Sequence, residues 1–216
     1  DSADRITAAR KAYDKLTAAQ KKLVANYDKL TAAEKAYADL TGTVLPRFSD
    51  VTVSDYFYQA VLWALEKNVT NGLTDTTFAP QLSCTRAQMV TFLWRAAGSP
   101  APKAAVNPFT DVPAGAYYEK AVLWAIENGV TQGTNAATFS PDAVCTRGQM
   151  AAFLYRSKNS PSVSGANPFT DVQPADYYAD AVVWATENDI TNGIGNNQYG
   201  PAQPCTRGQI VTFLYR

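Results

Sequence analysis

The sequence predicts a mostly α-helical protein of three tandem repeats behind a separate amino-terminal helical segment. Three observations predict it. Cys145-Thr146-Arg147-Gly148-Gln149-Met150 opens a stretch that runs to Arg156 and recurs at residues 84–95 and 205–216. Phe48-Ser49-Asp50-Val51 returns as Phe109-Thr110-Asp111-Val112 and Phe169-Thr170-Asp171-Val172, at offsets of 61 and 60 residues. Residues 1–42 lack Pro and have no Gly before Gly42, unlike the repeats. A period of this length in fixed order marks a repeat architecture.

In the amino-terminal segment, Ile6, Ala9, Tyr13 and Leu16 form a helical stripe. Thr17-Ala18-Ala19-Gln20 reads as a capping box opening a second helix with Leu23 and Val24. Thr31-Ala32-Ala33-Glu34 reads as another, opening a third with Tyr37 and Leu40, and Asn26-Tyr27-Asp28 breaks the run between them. Two or three short antiparallel helices follow, a helical hairpin or small bundle with few large apolar residues. Thr43-Val44-Leu45-Pro46 is the joint. The expected units are residues 1–42, 43–103, 104–163 and 164–216.

Each repeat opens on an Asp-bearing turn. In the second and third, Pro113 or Pro174 helps start a helix. That helix carries Tyr117, Tyr118, Ala121, Val122, Trp124 and Ala125, with Asn128-Gly129 as its carboxy-terminal cap. Trp63, Trp124 and Trp184 read first as core. A turn at Gly72, Gly133 or Gly193 comes next, then a short hairpin or an extended loop through Thr138-Phe139-Ser140-Pro141. A second helix closes the repeat. Thr at its N-cap and Gln three residues on form a capping box, and Cys145 with Met150 has hydrophobic-staple spacing. Met89, Phe92, Leu93 and Ala96 give one buried face. The linkers at residues 98–102 and 160–165 are turn-forming and long enough to let repeats rotate. One repeat of about 60 residues is marginal alone, so the three are expected to share a core.

Arg86, Arg147 and Arg207 stand out at N1, where the helix dipole disfavours a cation by roughly 0.3–1 kcal/mol. Two readings stay open, and both can hold. Each Arg pairs with a carboxylate of its own repeat, or the Arg and free helix N–H groups capture a ligand anion.

The 19 basic and 19 acidic residues give zero formal charge, against the basic face that nucleic acid requires. No His is present, which removes the usual general base and the commonest metal ligand. No metal or cofactor is expected. The three Cys precede equivalent caps and read as buried staple thiols, not as a disulfide framework. No run of about 18 apolar residues spans a membrane. Both chain ends fall inside helical patterns, so a longer protein carrying its own targeting signal is expected.

These motifs resemble the S-layer homology domain family. The likeness rests on Phe-x-Asp-Val, Tyr-Tyr-x-x-Ala-Val-x-Trp-Ala, Gly-Thr with Phe-x-Pro, and Thr-Arg-x-Gln with Phe-Leu-Tyr-Arg. It covers residues 46–216. The resemblance implies three repeats about a pseudo-threefold axis, with a central bundle and grooves between neighbours. It implies anchoring of a surface protein at the bacterial cell wall, through a secondary cell-wall polysaccharide that often carries an acidic pyruvate ketal. Carried over by motif, Arg86, Arg147 and Arg207 would meet the glycan carboxylate. Asp50, Asp111 and Asp171 are linked to sugar contacts, with an Asx-type turn or cap as their local alternative. Gly72, Gly133 and Gly193 would let backbone approach a sugar or simply permit positive φ. Gln88, Gln149 and Gln209 stand where the family usually has Glu, which keeps the capping box and leaves each groove more receptive to anions. The third repeat departs most, with Gly193-Ile194-Gly195-Asn196-Asn197 where the second has Gly133-Thr134. The amino-terminal segment is similar to helical spacers beside such modules, through Tyr13-Asp14-Lys15-Leu16-Thr17 and Asn26-Tyr27-Asp28-Lys29-Leu30.

A scaffold whose repeats contact other surface-layer proteins is the alternative. A glycoside hydrolase would need an asymmetric carboxylate pair, and three equivalent Asp residues do not suggest one.

Overall fold

The structure, a computed structural model, describes residues 2–14, 16, 20, 22–41, 48–103 and 106–216. Among the described residues there are eight α-helices and no extended strand. They are α1 (Ser2–Asp14), α2 (Tyr27–Thr41), α3 (Tyr58–Glu66), α4 (Arg86–Ala96), α5 (Glu119–Glu127), α6 (Arg147–Ser157), α7 (Ala179–Glu187) and α8 (Arg207–Tyr215). The joint at residues 43–46 lies outside the described residues.

Helix α2 starts at Tyr27, earlier than the sequence suggests. Tyr27 and Asp28 therefore belong to the helix, and of Asn26-Tyr27-Asp28 only Asn26 lies before it. Thr31 is not a cap, because its hydroxyl donates to Asp28 O at 2.9 Å from within the helix. The helix gains four residues of intrahelical bonding that a cap at Thr31 would forgo. Helices α1 and α2 pack together, joined by Arg10, whose Nε and Nη2 reach Glu34 at 2.8 and 2.6 Å. The capping box expected at Thr17 falls outside the described residues, and Leu23 is exposed.

In the repeats the helices interlock. The first helix of each repeat packs on the second helix of the repeat before it: α5 on α4, α7 on α6, and α3 on α8. The order is cyclic, with the first repeat taking up the last helix. Helices α4, α6 and α8 stand at the centre, and α4 contacts both of the others. They are buried on nearly every side, which is why their apolar pattern is so wide: Ala87, Met89, Val90, Thr91, Phe92 and Leu93 are all buried in α4. Ala96, expected on the same face, is exposed.

Backbone bonds close the same ring. Cys145 N–H donates to Cys84 O at 2.8 Å, Cys205 N–H to Cys145 O at 2.9 Å, and Cys84 N–H to Cys205 O at 3.0 Å. All three thiols are free and fully buried, as expected of them. The linkers do not act as swivels. Trp94 Nε1 donates to Pro100 O at 2.8 Å, and the equivalent Tyr155 hydroxyl donates to Pro161 O at 2.7 Å. Interlocked helices and tied linkers make the three repeats one body.

The first helix of each repeat is shorter than its sequence pattern. Residues 113–118 form turns, with Gly115 at φ 81°, and the helix begins at Glu119. Tyr118 becomes its N-cap and Tyr117 stays outside, exposed. The other end follows the sequence closely. Gly129 takes φ 66°, and Val130 N–H returns to Ala125 O at 2.8 Å, a left-handed helix stop.

Candidate functional site

The capped starts of α4, α6 and α8 form as the sequence suggests. In each, the N-cap Thr accepts from the third residue and Gln accepts from the Thr N–H, completing the box with an amide where a carboxylate could stand. The remaining N–H groups are not open to an anion, however. Arg86 N–H donates to Ala143 O at 2.9 Å and Ala87 N–H to Pro141 O at 3.0 Å. Arg147 and Gly148 use Gln203 and Pro201, while Arg207 and Gly208 use Leu82 and Pro80. The following repeat covers each helix start with its own carbonyls. The free N–H groups expected there are therefore absent.

The guanidinium groups carry the unmet capacity instead. Arg86, Arg147 and Arg207 are only 3%, 2% and 3% exposed. Each crosses into the next repeat, where its Nε donates to one carbonyl: Arg86 to Phe139 O at 2.9 Å, Arg147 to Tyr199 O at 2.9 Å, Arg207 to Phe78 O at 2.7 Å. Each lies between two rings. Arg86 Cζ is 4.8 Å from the Phe139 centroid and 5.3 Å from that of Phe153. Tyr199 with Phe213 and Phe78 with Phe92 do the same for Arg147 and Arg207. These contacts offset the dipole and part of the desolvation. Burial still pulls Arg86 and Arg207 below the ordinary Arg value.

No carboxylate pairs with any of the three among the described residues, so the expected internal ion pair is corrected to a carbonyl bond with the neighbouring repeat. Nη2 of all three is buried without a partner. A buried charged donor left unpaired costs about 1–3 kcal/mol or more.

Arg86 opens onto a groove of about 490 Å³. The second repeat supplies most of its wall, including Thr131, Gly133, Thr134, Gln149, Phe153 and Arg156, and the third supplies Tyr177. One site thus draws on all three repeats. Gly133 has φ 86°, and a Cβ there would stand 2.5 Å from Phe109 Cε1. Gly72 and Gly193 sit equally close to Phe48 and Phe169. These glycines let the turn lie flat on the Phe of the Phe-x-Asp-Val motif.

Asp50, Asp111 and Asp171 are employed elsewhere. Asp111 accepts Phe139 N–H at 2.8 Å and Ser140 N–H at 2.7 Å, one on each oxygen. Asp50 holds Phe78 and Ala79, and Asp171 holds Tyr199 and Gly200, in the same way. The clamped pair includes a left-handed residue: Ala79 at φ 57°, Ser140 at φ 58° or Gly200 at φ 71°. The bond spans 28 residues, so it is neither the local Asx turn nor the cap that the sequence suggests. By holding Phe139, Asp111 also fixes the carbonyl and the ring that seat Arg86.

Sequence reasoning missed the rim tyrosines. Tyr177 lines the Arg86 groove and is 60% exposed, and Tyr56 and Tyr117 hold the equivalent places. Of these, the sequence reading names only Tyr117, as part of the first helix of its repeat, where the structure leaves it outside the helix. The adjacent aromatic pairs Tyr56-Phe57, Tyr117-Tyr118 and Tyr177-Tyr178, whose two members cannot share one face, were the available signal. The Trp residues behave as expected: Trp124 and Trp184 are buried and Trp63 half-buried, around a cavity of about 370 Å³ that Arg86, Arg147 and Arg207 do not line.

The comparisons with known proteins agree with this architecture. The S-layer homology domain matches residues 47–90, 108–151 and 168–211. An endoglucanase of Bacillus sp. (strain KSM-635) is 31% identical over 78% of this chain and 19% of its own length. The surface-layer 125 kDa protein of Lysinibacillus sphaericus is 26% identical over 76% of this chain and 14% of its own length. The cellulosome-anchoring protein of Acetivibrio thermocellus is 28% identical over 70% of this chain and 33% of its own length. The chain thus spans a third or less of these relatives. With three matched repeats covering most of the chain, this protein belongs to the S-layer homology domain family.

Proposed function

We propose that the chain is a non-catalytic anchoring module that holds an acidic, pyruvylated cell-wall glycan in grooves between its repeats and so tethers a larger protein to a bacterial wall. The S-layer homology family and the surface-layer and cellulosome-anchoring relatives indicate a cell-wall or surface location. The observation that carries the binding reading is the buried, unpartnered Nη2 of Arg86, Arg147 and Arg207. A carboxylate oxygen supplies the missing acceptor, and a charge-assisted bond in a site shielded from water is strong. Gly133 and Gln149 line the groove beside Arg86, with Gly72, Gly193, Gln88 and Gln209 in equivalent positions. Tyr177 offers a ring face to a sugar. Asp50, Asp111 and Asp171 support the site from behind as clamps.

Calorimetric titration of the 216-residue chain with wall glycan, before and after removal of its ketals, tests this. Binding should need the ketal and should weaken when Arg86, Arg147 and Arg207 are changed to Met in turn. Equal binding of the stripped glycan, or no effect of any variant, would sink the proposal.

A further inference from the structure

The groove at Arg86 holds a second cation. Arg156 comes from the last turn of α6 and lines the same wall. Its Nη1 makes one long bond to Val130 O at 3.4 Å, and its Cζ lies 6.0 Å from the Tyr177 ring. Arg95 and Arg216 repeat the backbone contact, to Val69 O at 3.4 Å and to Ile190 O at 3.3 Å. Among the described residues, no Asp or Glu lies on the groove wall or pairs with Arg156. The capping-box position in that wall holds Gln149, whose amide completes the box without adding a negative charge.

The groove therefore carries two guanidinium groups and no carboxylate, in a chain whose formal charge is zero. A ligand with a single negative charge satisfies Arg86 and leaves Arg156 uncompensated. Like charges sharing a partly desolvated groove repel, and a second ligand anion relieves that repulsion while gaining a forked contact.

We infer, resting on the acidic-glycan reading of this groove, that the unit recognised there carries two anionic groups. One oxyanion meets Arg86 at the floor, and a second, carboxylate or phosphate, meets Arg156 near Tyr177. Gln149 sets the selectivity by keeping the wall free of negative charge.

Three synthetic disaccharides serve as probes: one with a single pyruvate ketal, one with a ketal and a phosphate monoester, and one with two ketals. Each is titrated calorimetrically against the full chain and against Arg156→Gln and Gln149→Glu. A doubly charged probe should bind the unaltered protein about tenfold tighter than the single ketal. A gain for the phosphate probe alone makes the second group a phosphate, and a gain for the double ketal makes it a carboxylate. Arg156→Gln should erase the gain, weakening the doubly charged probes more than the single ketal. Gln149→Glu should weaken doubly charged probes more than the single ketal. Equal affinity for all probes, or an equal loss across them in Arg156→Gln, overturns the inference, and the glycan reading survives if the single ketal still needs Arg86. Failure of every probe to bind overturns both.

Discussion

Each repeat draws one carboxylate and one guanidinium toward the interior, and the two are treated differently. Asp111 has an N–H on each oxygen, both from the loop that it must hold. Arg86 has one carbonyl on Nε, two rings about its plane, and a buried Nη2 with nothing to bond. By sequence the two looked alike, each recurring once per repeat and each a candidate for sugar contact. Their surroundings separate them. A fully bonded charge stabilises the fold, whereas a buried charge with capacity left over costs stability until something binds it.

The comparison can be broken most sharply at Asp111. Replacement by Ala strands two buried-side N–H groups and releases the left-handed Ser140. Two bonds to a charged acceptor are worth about 3–6 kcal/mol together, so urea denaturation should show a loss of that size. A loss under about 1 kcal/mol would mean that the clamp is not needed.

Arg86→Met should behave in the opposite sense. Met keeps the length and the ring contacts, removes the unpaired donor, and strands only Phe139 O. Exchanging a buried charge for an apolar group is often close to neutral, so stability should stay within about 1 kcal/mol while that groove stops binding glycan. A large fall in stability would recast Arg86 as structural.

The thiols give the smallest effect at neutral pH. Burial pushes Cys84 and Cys145 up to about 12 from an ordinary 9.0, and raises Cys205 further. A thiol harder to ionise when folded favours the folded state in its neutral form. That contribution is complete below about pH 9 and is lost as pH rises toward 12. Denaturation midpoints should be flat up to pH 9 and fall beyond it. Thiol reagents at pH 8 should react only on unfolding. Rapid labelling of the native protein would show that the cysteine ring opens.

Much of the fold was legible in the sequence because its signals are short-range. Thr146 and Gln149 meet within one turn, Gly129 stops a helix through its own φ, and the repeat period needs no structure to be seen. Errors arose where local signals met a competing partner. Thr31 had the spacing of a cap, but the helix already ran through it. Tyr117 had the right period, but Gly115 and the turns after Pro113 delayed the helix. At the site, Arg86 could be named from its awkward place at N1, and Gln149 from its place in the capping box. Tyr177 and Arg156 could not be joined to Arg86, because they come from other repeats.

The sequence by itself determined three repeats, their caps and turns, their buried thiols and the residues placed oddly in each. Those features depend on neighbours a few residues apart. Only the tertiary structure decided that each repeat lends its first helix to the one before it, covers the neighbouring helix start with carbonyls, and receives that neighbour's Arg between two rings. The bonds from those arginines to carbonyls join residues 52 to 129 positions apart. No local pattern encodes which carbonyl will reach Arg207, and closing the ring of repeats is what brings Phe78 to it.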